Sequence, residues 1–251
     1  MTTSYSERFQ DSESVSDYES KEYGAGSYSS YVWDWQRPVL QKIIADFRRA
    51  QPGPVRLLDF ACGTGRVIAA LEPLVDTAAG IDISENMVAV ARGKCRAAQL
   101  KVGDILAQPE LLPHQCDLIT SFRFLLNVEP ELRRRILEKL RTVLRAPTGL
   151  LVVNVHGNSR SLRHPAILWR RWREQPGKSG AMLNEMSPAE TKRLLCESGF
   201  QIVRQFGFGM LPPTVYRTPL RGLAVATDKF FAGENCWSDC SIDMMFVCRP
   251  A

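Results

Sequence analysis

The sequence predicts an α/β fold: a doubly wound, mostly parallel sheet of seven strands with helices on both faces. Short apolar runs alternate with amphipathic stretches through most of the chain. The first apolar run closes on "DFACGTG", residues 59–65, an acid followed by closely spaced glycines. Two later runs also end near an aspartate, Asp82 and Asp104.

The elements follow in order. Residues 1–25 are polar, acidic and serine-rich and are expected to be a mobile leader. Residues 26–251 then form a single domain. An aromatic stretch, "SYSSYVWDWQ", leads into a helix whose Val39, Leu40, Ile43, Ile44 and Phe47 share a face. "QPGP" breaks it. "VRLLDF" is the first strand, "ACGTG" a turn and "RVIAALEPL" a helix. "AAGIDI" is the second strand, and Ser84 caps the helix after it. "LKVGDI" and "CDLITSF" are the third and fourth strands. "EPELRRRILEKLRTVLR" is an amphipathic helix with a stripe of Leu132, Ile136, Leu137, Leu140 and Leu144. "LLVVNV", residues 150–155, is apolar enough to be buried on both faces. "SPAETKRLLCESGF" opens with a cap and a proline at the first helical position. "QIVRQFGF" and "SIDMMFVCRP" are the last two strands. Insertions at 157–187 and 209–241 interrupt the alternation.

Composition narrows the functional classes. The chain has 251 residues, 45% of them hydrophobic, which is enough for a sizeable core. A net charge of +5 is too diffuse to mark a nucleic-acid-binding face. No window approaches the roughly 18 apolar residues of a membrane span. The N-terminus lacks the basic start and apolar stretch of a signal peptide, so a cytoplasmic location is expected. The seven cysteines read as free thiols of a reducing compartment. Cys236 and Cys240 are the one close pair, without a second pair or a nearby histidine, so no metal site is expected. Nothing in the sequence indicates the oligomeric state.

In open α/β sheets, ligands bind beyond the carboxyl ends of the strands, where strand order reverses. The 61–65 loop is therefore the expected site. Gly63 and Gly65 let backbone approach a ligand, Ala61 is nearly as small, and the following helix start offers N–H groups. Asp82, about 20 residues further on, can accept both hydroxyls of a ribose. Asp104 sits where it can meet an adenine amino group. A dinucleotide loop would carry G-x-G-x-x-G, but the third glycine is replaced by Ile68.

The pattern that is present, D-x-A-x-G-x-G with three acids ending three successive strands, resembles the class I S-adenosylmethionine-dependent methyltransferases. The resemblance covers roughly residues 30–155, and the two final strands extend it. It implies a Rossmann-like sheet with an antiparallel last strand, an N-terminal helical cap and insertions forming a lid. It implies that Asp59 orients the loop and that Ala61, Cys62, Gly63 and Gly65 line the methionine moiety of S-adenosylmethionine. Asp82 would bind the ribose, with Ile83 and Met87 packing on the adenine and Asp104 and Ile105 at its edge. Ser121 and Phe122 would face the sulfonium side. Tyr31, more than Tyr23 or Tyr28, would fold over the cofactor, and the product would be S-adenosylhomocysteine.

The end of the fourth strand bears on the methyl acceptor. "TSFRFLLN" lacks the Pro-Pro of enzymes acting on adenine N6 or glutamine amides, the nucleophilic cysteine of cytosine C5 enzymes, and the extra acids of metal-dependent catechol enzymes. The chain resembles instead the quinone-biosynthesis-like and natural-product branches, which methylate small molecules on O, N or C. The two insertions would then build the acceptor pocket, lined by Trp169, Trp172, Tyr216, Phe230, Phe231 and Trp237. Arg123 could anchor an acidic acceptor or cap a helix. His156, directly after the fifth strand, is the candidate base; the rival reading is a loop histidine bonded to backbone. "LWRRWRE" at 168–174 leaves open an RNA or protein substrate. An inactive, methyltransferase-like binding subunit is the third reading.

Overall fold

The computed structural model describes residue 24 and residues 26–165, 167–168 and 185–251. The expected leader, apart from Gly24, and the insertion tryptophans Trp169 and Trp172 lie outside the described residues.

The first helix, α1, spans Tyr28–Ala50, and the Ser27 hydroxyl caps it by accepting the Ser30 amide at 3.1 Å. It includes the aromatic stretch that the sequence reads only as a lead-in, and it continues through Pro38. A mid-helix proline forfeits one backbone hydrogen bond, at a cost of about 3 kcal/mol. Burial along one unbroken face, from Val32 and Gln36 to Leu40, Ile44 and Phe47, offsets that cost.

The strands are β1 (Arg56–Phe60), β2 (Thr77–Asp82), β3 (Gln99–Val102), β4 (Leu118–Ser121), β5 (Leu150–Val155), β6 (Phe200–Phe208) and β7 (Asp243–Pro250). They form one sheet in the order β3-β2-β1-β4-β5-β7-β6. The pairs among β1 to β5 are parallel, and β7 runs antiparallel between β5 and β6. Between them run α2 (Arg66–Leu71), α3 (Glu85–Lys94), α4 (Pro130–Val143), α5 (Pro188–Glu197) and α6 (Arg221–Phe231). Caps define two of these sharply. Ser84 accepts the Met87 amide at the start of α3, and Ser187 and Glu190 form a reciprocal capping box ahead of α5.

The two-residue period of the strands divides the core. Leu57, Leu118, Val152, Met245 and Val247 pack with α1 and α2. Leu58, Ile119, Leu151, Val153 and Phe246 pack on the other face with Ile136, Leu137 and Leu140 of α4 and Leu195 of α5. The central strands β4 and β5 are buried throughout. This rigid layer presents the carboxyl ends of β1, β2, β4 and β5 along one edge, and strand order reverses between β1 and β4. Among the described residues no helix is long and apolar enough to cross a membrane, and no group of His, Cys, Asp and Glu could hold a metal ion.

Candidate active site

The loop after β1 is built from backbone that few side chains tolerate. Ala61, Gly63 and Gly65 have φ of 56°, 53° and 79°. The Cys62 amide donates to the Ile81 carbonyl at 3.1 Å, tying the loop to β2. Asp82 completes the tie. Its carboxylate accepts the Gly63 amide at 2.8 Å and the Ser84 amide at 2.9 Å. One acid at the end of β2 thus clamps both the loop and the start of α3.

The two glycines have different surroundings. A Cβ on Gly65 would lie 2.8 Å from the Ala91 Cβ, so this residue lets the start of α2 pack against α3. Among the described residues, a Cβ on Gly63 would meet nothing within 4 Å. That space lies at the switch point, beside the Asp82 clamp.

Asp59 is buried beneath the loop and accepts the Thr120 hydroxyl at 2.6 Å. Burial pushes its carboxyl up to about 7, while the Thr120 hydroxyl, the Ile68 amide and the Arg66 charge draw it back. The folded form therefore holds a proton that the unfolded chain, near 3.9, has already released. Stability from this group is full below pH 3.9 and is lost as pH rises towards 7. Between pH 5 and 7 the loss is roughly 2 kcal/mol, because the slope of about 1.4 kcal/mol per pH unit fades as the native group begins to ionise. Asp59→Asn should remove it. Thermal unfolding from pH 5 to 8 should show wild type losing stability relative to the variant; parallel curves would mean that Asp59 stays ionised.

Further along the edge, the Asp82 carbonyl accepts the Gly103 amide at 2.9 Å and so joins the ends of β2 and β3. Asp104 starts the next turn, its carboxylate accepting the Leu106 amide at 2.8 Å. Ile105 and Met87 are buried, whereas Ile83 is 49% exposed on the rim. Ser121 at the end of β4 is buried, and its hydroxyl makes no hydrogen bond. Phe122 turns into the apolar cluster beneath α1, with Val32 and Phe208. Arg123 has a left-handed backbone, φ 56°, and donates to the Ser29 hydroxyl of α1 at 3.0 Å.

A second group of polar side chains gathers where β5 meets β7. Val155 pairs with Met244, so the antiparallel register sets Asp243 across from His156. Asp243 is buried and accepts the Asn154 side-chain amide at 3.3 Å. Burial raises its carboxyl, with Arg123, Asn154 and Arg163 opposing. The Nδ1 atom of His156 is buried without a hydrogen bond. Burial, then the charges of Arg123 and Arg163, hold this imidazole well below its ordinary range, so it is neutral at physiological pH.

Tyrosines of α1 and of the 209–241 insertion close this side. The Tyr216 ring meets Tyr28 edge-on at 5.2 Å and lies 5.6 Å from Tyr31, which stacks on Trp35. The Tyr216 hydroxyl donates to Asp228, which also accepts the Met210 and Leu211 amides at 2.9 and 3.1 Å. The Tyr28 hydroxyl is buried with no partner. Thr120, Asn154, Asp228 and Asp243 went unremarked in the sequence. Asn154 and Asp243 had a signal there, as lone polar residues in or beside apolar strands. Of the insertion aromatics expected in the pocket, Phe230 and Trp237 are instead 81% and 52% exposed, because they stand on the outer side of the insertion; Trp169 lies outside the described residues.

Residues 32–205, about two thirds of the chain, match the family model described as a methyltransferase domain. The chain belongs to the methyltransferase domain family. A protein of Geobacillus sp. (strain WCH70), provisionally named a methyltransferase, is 34% identical over 130 residues. The match covers 49% of each, so this methyltransferase-family chain spans about half the length of that curated relative. Among solved structures, a magnesium protoporphyrin IX methyltransferase from Synechocystis PCC 6803 with bound S-adenosylhomocysteine superposes with a TM-score of 0.60. It is 18% identical, over 96% of this chain and 100% of that one. A possible histamine N-methyltransferase from Thermotoga maritima gives a TM-score of 0.55 at 15% identity, over 88% and 93% of the two chains. Both likenesses support the fold of this family member, the Rossmann-like sheet with its antiparallel last strand.

Proposed function

We propose that this methyltransferase moves the methyl group of S-adenosylmethionine to oxygen or nitrogen of a small-molecule acceptor by in-line displacement, in secondary-metabolite biosynthesis, releasing S-adenosylhomocysteine. The observation that carries the reading is the clamp of Gly63 and Ser84 amides on Asp82 at the switch point, beside the open face of Gly63. The residues present fit the donor. Asp82 has acceptor sites left for ribose hydroxyls. Ile83, Met87, Asp104 and Ile105 would frame the adenine. Ala61, Cys62 and Gly63 would lie along the methionine part, with Gly65 holding the loop against α3 and Asp59 supporting it from below. The Ser121 hydroxyl, unpartnered among the described residues, and Phe122 stand at the end of β4, and Tyr31 of α1 would fold over the donor.

The donor supplies an activated methyl on a sulfonium whose charge is lost in the transition state. The protein's work is then alignment and exclusion of water. An acceptor that arrives as a hydroxyl or protonated amine must also lose a proton. His156, neutral and on the ligand edge, would take it. Arg123 and Arg163 beside it would favour an acceptor oxyanion. Tyr28, Tyr31 and Tyr216 would wall the acceptor, a surface suited to a small aromatic or polycyclic molecule.

The test is transfer of labelled methyl from the donor across a panel of phenols, carboxylic acids and amines. With an accepted hydroxyl substrate, His156→Ala should lower kcat by about 100-fold or more while S-adenosylhomocysteine affinity stays the same. The acid limb of kcat/KM should fall well below pH 6.5, where the imidazole finally charges. Unchanged turnover in the variant would remove His156 as base, and labelling of RNA in preference to every small molecule would overturn the acceptor class.

A further inference from the structure

Among the described residues, nothing covers the apolar outer face of α6. Leu220 precedes the helix, and Leu223, Ala226 and Phe230 follow on one side at helical spacing. Leu220, Leu223 and Phe230 are 60%, 67% and 81% exposed. The patch continues through ring contacts: Phe230 meets Phe231 at 5.2 Å, and Phe231 meets Trp237, itself 52% exposed, at 6.2 Å. Isolated surface leucines need no explanation, but a contiguous patch of aromatic and aliphatic side chains does.

Along the stretch that carries the patch, the exposed charges have one sign. Arg217, Arg221 and Lys229 are all exposed. The single acid between residues 209 and 233 is Asp228, which is buried on the inner side of α6 under Tyr216 and two backbone amides. The nearest acids beyond that stretch are engaged, Glu234 with Arg204 at 2.7 Å and Asp239 with Lys192 at 3.0 Å.

We propose that this face of α6 docks on the surface of an anionic lipid bilayer, with Leu220, Leu223, Phe230 and Trp237 in the headgroup–acyl boundary and the three cations on lipid phosphates. A short helix with an apolar stripe, flanking Lys and Arg and exposed aromatics has the makeup of an interfacial anchor. Its cations suit a negative surface and would repel the same basic face of a second copy. The inference goes beyond the proposed activity and does not rest on it. Because the inner side of α6 holds Tyr216, docking would also bring the wall of the acceptor site to the bilayer interface.

Co-sedimentation of the full chain with vesicles tests this. Wild type should bind vesicles of 3:1 phosphatidylcholine and phosphatidylglycerol at least about 10-fold more tightly than pure phosphatidylcholine, and high salt should release it. The double variant Leu223→Glu, Phe230→Glu should lose most of that binding, and Arg217→Glu, Arg221→Glu should lose the preference for anionic lipid. The melting temperature and S-adenosylhomocysteine affinity of both variants should match wild type, which separates lost docking from lost fold. The proposal is overturned if wild type ignores both vesicles, if it binds neutral and anionic vesicles equally, or if the first double variant binds like wild type. A wild-type dimer that dissociates in that variant, with no vesicle binding, would instead assign the face to self-association.

Discussion

Asp82→Ala should bind S-adenosylhomocysteine at least about 100-fold more weakly than wild type. The carboxylate accepts two backbone amides, from Gly63 at 2.8 Å and Ser84 at 2.9 Å, and its remaining acceptor sites are those that the proposed function gives to two ribose hydroxyls. Hydrogen bonds to a charged group are worth about 1.5–3 kcal/mol each, so losing the ribose pair costs roughly 3 kcal/mol or more. The variant also releases the Gly63 amide, which loosens the loop against which the ligand would lie. Calorimetric titration measures the affinity directly. Thermal unfolding gives a second reading: ligand at 100 times its Kd should stabilise wild type by about 2.7 kcal/mol, or roughly 5–10 °C for a chain of this size. No shift in wild type would remove the cofactor assignment altogether. A full shift retained in Asp82→Ala would leave the cofactor and move the ribose elsewhere.

The second large effect separates the two loop glycines. Gly65→Ala should cost about 2–4 kcal/mol of stability. Its φ of 79° disfavours any side chain, and the new methyl would be forced to 2.8 Å from the Ala91 Cβ and 3.0 Å from the Ala91 Cα. Because the Ala91 backbone is part of α3, relief requires the two helices to part. Gly63→Ala carries only the backbone penalty, about 1 kcal/mol, since its methyl meets none of the described residues within 4 Å. That methyl would occupy space left for ligand, so ligand affinity should fall by 10-fold or more while the melting temperature moves little. Melting temperatures and S-adenosylhomocysteine affinities of the two variants decide the matter. The reverse pattern, with Gly63→Ala unstable and Gly65→Ala unable to bind, would exchange the two roles.

Features set by neighbours along the chain were legible beforehand. "LLVVNV" is a strand over residues 150–155 because a continuous β-branched and leucine run suits only a site buried on both faces. Ser84 and Ser187 start helices because a side-chain oxygen satisfies amides three residues on. The glycine loop, Asp82 and Asp104 could be placed at strand ends because each acid lies at or just beyond the end of a strand-like run. The start of α1 was not legible in this way. The aromatic stretch ahead of Pro38 reads as a lead-in, whereas the helix begins at Tyr28, capped by Ser27 and with Val32 and Gln36 buried along its face.

What the amino-acid order determined by itself, then, is the α/β alternation, the caps, the turn at residues 61–65 and the acids that end the strands. Tertiary structure decided the roles that depend on distant partners. It set β7 antiparallel between β5 and β6, which puts Asp243 across from His156. It bonded Tyr216 to Asp228, leaned it on Tyr28 and Tyr31, and pressed Gly65 against Ala91 while leaving Gly63 open. The physical reason is the range of the forces involved. Capping and periodicity act within a few residues and leave their mark in the local sequence. Strand pairing and side-chain packing join segments far apart in the chain, and no local pattern records which of them will meet.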